Sequence, residues 1–175
     1  MKRFGPYVLV AFVIVACSCW IVSAQAANDL PKVDVNVGSA GPRQVEDTTE
    51  KALERDYARA WSSMETALAE NRAELLDADF VGVALDALKE RVNQQQQNGL
   101  RTRYIDRGHK LQAIFYSPEG SAVQLADTVQ VEVQFLDGDK VLHSEQRTEN
   151  YTVVMTAAEN RWKVRVLQAT PGQPE

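Results

Sequence analysis

The clearest pattern along the chain is an alternation. Val123, Leu125, Val129, Val131, Val133 and Phe135 hold odd positions, while Gln124, Thr128, Gln130, Glu132 and Gln134 hold even ones. A period of two with polar partners predicts a strand with one dry and one wet face. Ala126-Asp127 interrupts the pattern and reads as a bulge. Before it, Leu111, Ala113, Ile114, Phe115 and Tyr116 form an apolar run ended by Ser117-Pro118-Glu119-Gly120, which is turn chemistry. After it, Asp137-Gly138-Asp139 predicts a hairpin. The return strand starts at Val141 and Leu142, stays polar through Ser144 and Asn150, and turns apolar at Tyr151, Val153 and Met155. A further turn at Ala157-Ala158-Glu159-Asn160 leads to a last strand with Trp162, Val164 and Val166 on one face. The sum is a four-strand antiparallel meander whose dry face needs a cover.

The helical period appears upstream. Leu53, Tyr57, Trp61, Met64 and Leu68 recur at spacings of three and four, and Asp47 with Glu50 gives a capping-box-like start. A second helical region runs over residues 71–98, with Val81, Leu85, Leu88 and Val92 in phase. Asp77 or Asp79 divides it, and Asn98-Gly99 stops it. Leu100 to Asp106 reads as extended, and Arg107-Gly108 as a turn towards the sheet. The predicted class is therefore α+β, with N-terminal helices packed on a curved antiparallel sheet of four or more strands.

Residues 27–46 read as a flexible tether, broken by Pro31, Gly38, Gly41 and Pro42. Within it, Val33, Val35 and Val37 alternate with polar residues and suggest a short edge strand. Residues 1–26 read as an export signal: Lys2 and Arg3, an apolar stretch, then Ala24-Gln25-Ala26 before the cleavage point. Two rivals stand beside it. Ile14-Val15-Ala16-Cys17 resembles a lipobox that would lipidate Cys17, and the apolar stretch would otherwise serve as an uncleaved anchor. Each places residues 47–170 outside the cytoplasm, periplasmic or extracellular, with the membrane met only through the N-terminal segment. Residues 171–175 read as a disordered tail.

Composition adds limits. At 175 residues, 45% hydrophobic and 25% charged, one ordinary domain is expected. The formal charge is −5. Removing Lys2 and Arg3 with the signal takes it to −7, because −5 − 2 = −7. That balance disfavours nucleic acid as a partner. Both cysteines, Cys17 and Cys19, lie in the apolar segment, so a cleaved domain has no disulfide framework or thiol nucleophile.

The order of elements, the helix face Leu53/Tyr57/Trp61, the stop at Asn98-Gly99 and the ending Tyr151-Thr-Val-Val-Met…Arg161-Trp-Lys-Val-Arg-Val-Leu167 resemble the NTF2-like superfamily. That is the cone-shaped α+β fold shared with SnoaL-like and ketosteroid-isomerase-like domains. The resemblance spans residues 47–170 and implies a pocket between the first helix and the concave sheet. Tyr57, Trp61, Phe80, Tyr104, Phe115, Tyr151 and Trp162 are its candidate lining, with a filled aromatic core as the plainer reading. The fold hosts enzymes and inert binding modules alike, so chemistry rests on the site.

No catalytic set emerges. Asp106 and His109 sit close in sequence beside Tyr104, a pairing suited to acid–base work if both face a dry pocket, but polar residues are also ordinary at a turn. His143 falls on a polar strand segment. Two histidines without metal-ligand spacing suggest no metal site, and no motif implies a cofactor. Arg101, Arg103 and Arg107 form a basic cluster in an acidic chain, a candidate patch for an anion or partner. The leading expectation is an exported, non-catalytic module that binds an unknown protein partner or helps an envelope assembly, with a homodimer among the expected forms. The alternative is a small apolar ligand in the cone. The third is an isomerase- or hydrolase-like enzyme using Asp106, His109 or Tyr104.

Overall fold

The computed structural model describes residues 30–170. The segment read as an export signal, the candidate lipidation residue Cys17 and the expected C-terminal tail therefore lie outside the described residues. Two helices pack on one six-stranded sheet of mixed direction, which does not close into a barrel. The strands are β1 (Val33–Asn36), β2 (Gly41–Pro42), β3 (Leu100–Tyr116), β4 (Ala122–Asp137), β5 (Lys140–Ala158) and β6 (Arg161–Thr170). The helices are α1 (Asp47–Glu70) and α2 (Gly82–Gln97), joined through a 3-10 turn at Ala73–Leu76. Strand order is β1-β3-β4-β5-β6, with β2 also on β3. This is the α+β arrangement of the NTF2-like cone.

The predicted meander is present as β3 to β6, each pair antiparallel. The two N-terminal pieces fall within the segment read as a tether and run parallel to β3, so Val35 is buried in the core. Helix α1 buries its predicted stripe: Leu53, Tyr57, Trp61, Met64 and Leu68 are all closed off from solvent. Burying five such side chains contributes roughly 1.5–3 kcal/mol each and is what holds α1 on the sheet. The helix begins after Glu46 and ends at Asn71, whose left-handed backbone turns the chain away. The second helical region is divided as the two aspartates suggested. Asp77 closes the 3-10 turn, and Asp79 is buried, accepting a 2.6 Å bond from Ser63 and a 3.2 Å contact from Arg161.

Two details of the sheet depart from the sequence reading. Asp106 to His109 is a β-bulge inside one continuous 17-residue strand, not a turn between strands. Conversely, β4 pairs without interruption through Ala126-Asp127 on both sides, so no bulge occurs there. Asp127 simply takes an odd, inward position in the alternation.

Candidate functional site

The bulge in β3 builds the most unusual chemistry in the molecule. In an unbroken strand, residues three apart face opposite sides of the sheet. The extra residue at Arg107-Gly108 restores the phase, so Asp106 and His109 both point inward. Gly108 takes φ +118°, a conformation that side chains resist. Asp106 fixes the loop by accepting the Gly108 N–H on Oδ1. Its Oδ2 lies 3.1 Å from His109 Nε2, an ion-pair contact. On the other side, His109 Nδ1 meets Asp127 Oδ2 at 2.7 Å, and Tyr57 donates its hydroxyl to the same oxygen at 2.7 Å.

Around this ionic core the aromatics close in. The Trp61 ring sits 4.3 Å from the imidazole and Tyr57 5.4 Å, both edge-on. Trp61 also contacts Tyr104 at 6.2 Å and Tyr151 at 5.6 Å. His109 is 2% exposed and Asp127 1%. Burial pulls the His109 pKa down, but the two carboxylates outweigh it and hold it up at about 9. Burial pushes Glu65 up to about 7, helped by the Asp106 charge. Burial and Asp127 push Tyr57 well above its ordinary value. The two carboxylates thus favour the protonated ring; Nδ1 is paired with Asp127, whereas Nε2 lies 3.1 Å from Asp106 Oδ2 without an aligned hydrogen bond.

The sequence-predicted lining residues separate into three groups. Tyr57, Trp61 and Phe80 are core, each about fully buried. Trp162 is also core, packed near Tyr116 at the far end, where its backbone N–H donates to Asp56 at 2.9 Å. Tyr104 and Tyr151 do border a cavity. It measures about 320 Å³, between α2 and the sheet, with Arg91, Arg147, Glu149 and Leu167 completing the walls. Arg91 donates to the Tyr104 hydroxyl at 2.8 Å. Phe115 is a correction: it lies at a second bulge in β3, is 41% exposed, and lines no part of the cone interior. Sequence reasoning also passed over Asp127, Glu65, Asp56 and Asp79. The signal for Asp127 was available, as a carboxylate at a dry phase of β4.

The arginines do not form one free patch. Arg101 is engaged with the β4–β5 hairpin, bonding Gly138 O and lying 3.2 Å from Asp139. Arg103 reaches Gln134 at 3.5 Å, and Arg107 stands exposed on the bulge. His143 is exposed and stacks on Phe135 at 6.3 Å.

One long surface remains. Strand β6 covers β5 only from Asn150 to Ala158. Among the described residues, no strand pairs the outer edge of residues 140–149. Residues 140–148 are all exposed, including the apolar Val141 and Leu142. Such an edge presents a row of unused backbone donors and acceptors.

The fold and these features define an open NTF2-like cone, with a closed ionic core, a shallow cleft and a free sheet edge. Among solved structures it is similar to the intermembrane-space region of the chloroplast protein ARC6. The TM-score is 0.62 and the identity 17%, over 73% of this chain and 98% of that one. At that identity the likeness shows a shared fold. A scytalone dehydratase-like protein from Novosphingobium aromaticivorans matches with TM-score 0.45 and 16% identity, over 66% of this chain and 83% of that one. No family model matches the chain. No curated protein matches it.

Proposed function

We propose that the chain is an exported, non-catalytic NTF2-like module that captures a protein partner in the cell envelope by strand addition at the open edge of β5. The observation that carries this reading is the free edge over residues 140–149, beside a cleft with mixed apolar and charged walls. Main-chain hydrogen bonds along such an edge supply affinity, and the alternating side chains supply selectivity. The burial of His109, with its ring packed against Trp61 and Tyr57, supports a structural role there. Trp61, Tyr57 and Phe80 fill the centre of the cone, which leaves a small ligand only the cavity beside Tyr104 and Tyr151.

The test is site-specific photo-crosslinking in the native host. A crosslinking residue at Thr148 is expected to give a discrete protein adduct, and one at Glu159, in the far β5–β6 turn, none. The absence of any adduct from Thr148 would refute edge capture.

A further inference from the structure

The cavity between α2 and the sheet carries an unbalanced charge. Most of its walls are apolar: Met64, Ala84, Leu88 and Leu167, with the rings of Tyr104 and Tyr151. Three charged side chains complete them, Arg91, Arg147 and Glu149. Two of the three cancel. Arg147 pairs closely with Glu149, which also accepts the Tyr151 hydroxyl. Arg91 has no such partner. Among the described residues no carboxylate lies within ion-pair distance of it. Its guanidinium sits 5.6 Å over the Tyr104 ring and donates to the Tyr104 hydroxyl at 2.8 Å. The aromatic face holds the cation in place without neutralising it.

That contact aims two donors at one spot. A phenol that accepts a hydrogen bond still has its own hydrogen to give, and among the described residues the Tyr104 O–H has no acceptor. The guanidinium keeps further N–H groups beyond the one it spends on Tyr104. The two groups are bonded neighbours on the cavity wall, so a carboxylate can take an N–H on one oxygen and the O–H on the other. Charge-assisted bonds of this kind are about twice as strong as neutral ones. The apolar walls add nothing for a bare inorganic anion, but they bury a hydrocarbon body. At about 320 Å³ the cavity stands at the small end of ligand pockets.

We infer that this cavity binds a small carboxylic acid with an apolar body, the carboxylate held by Arg91 and Tyr104 and the body laid along Met64, Leu88 and Leu167. The site is separate from the free edge of β5, and either can exist without the other.

Isothermal titration calorimetry of phenylbutyrate into the full-length chain, held in dodecyl maltoside, tests the site. Phenylbutanol and phenylbutylamine carry the same body with a neutral and a cationic head, and the alcohol reports the background of partition into the micelles. The acid is expected to bind saturably, at least about tenfold tighter than the alcohol, and the amine not to bind. Arg91→Gln is expected to abolish the preference for the acid, and Tyr104→Phe to reduce it about fivefold. Arg103→Gln, on the opposite face of β3, is expected to change nothing. Among the described residues Glu149 is the only acid on the cavity walls, so Glu149→Gln is expected to tighten binding by about threefold or more. A gain of that kind cannot come from a misfolded chain. Equal affinity for acid and alcohol overturns the inference, as does a preference that survives Arg91→Gln. Affinity that is unchanged or weaker in Glu149→Gln overturns it too, as does the absence of saturable binding by the acid. None of these outcomes alters what a Thr148 adduct says of the β5 edge.

Discussion

Raising the pH across the His109 cluster is the most direct perturbation of the core. The folded imidazole holds its proton to about pH 9, against about 6.5 in the unfolded chain. A group whose pKa is raised by folding contributes stability that is complete below the unfolded value and is lost as pH climbs through the folded one. A shift of about 2.5 units corresponds to about 3 kcal/mol in total. Glu65 complicates the lower part of the range. Its folded pKa of about 7 lies above its ordinary value of 4.5, so it also lowers stability as pH rises, but over a window that closes near neutrality. Tyr57 enters only above its unfolded value of about 10. Between about pH 7.5 and 9.5, His109 is therefore the main contributor of the three, and the expected loss is about 2 kcal/mol.

Urea unfolding followed by tryptophan fluorescence measures this directly, because Trp61 packs on the imidazole. With a slope of about 2 kcal/mol per molar, the midpoint should fall by about 1 M across that window. His109→Gln keeps a hydrogen-bond donor but cannot titrate, so its midpoint should stay flat there while starting lower. A wild-type midpoint that does not move would refute the argument, as would an equal fall in the glutamine variant. So would a His109 ring resonance that titrates near its ordinary value.

Substitutions at two further places, the Asp56–Arg55 pair and the β3 bulge, probe how the sheet is pinned. Asp56→Asn should cost about 1–3 kcal/mol in thermal unfolding, since the buried carboxylate accepts both the Trp162 N–H at 2.9 Å and the Arg55 guanidinium at 2.8 Å. Arg55→Ala, on the exposed side of the same pair, should cost no more than about 1 kcal/mol. Gly108→Ala should destabilise by about 1–3 kcal/mol, because a side chain resists φ +118° and its Cβ would lie 3.4 Å from Lys32 O. The same variant should displace the His109 ring resonance, whereas an alanine at the exposed Arg107 should leave it in place.

The helices and the meander were legible because each rests on a repeated local signal: a stripe at three and four in α1, alternation in β4, an Asp-Gly turn before β5. The candidate site was not, and the reason is phase. Arg107-Gly108 reads as a turn after the extended stretch, and a period of two would in any case place Asp106 and His109 on opposite faces of one strand. Only the pairing with β4 shows that the strand continues and that one extra residue turns both side chains inward. The error at Asp127 is the mirror image. A carboxylate in a dry position reads as a bulge, but in the structure it is the partner of the buried imidazole. The two misreadings describe one event in the structure. The bulge delivers a cation to the dry face of the sheet, and β4 supplies the charge that makes its burial tolerable. The edge of β5 belongs to the same logic at the surface: past Tyr151 its inward phase changes from apolar to charged, because β6 and the helices no longer cover it. A strand that kept the apolar pattern there would aggregate. One that carries charge there keeps its solubility.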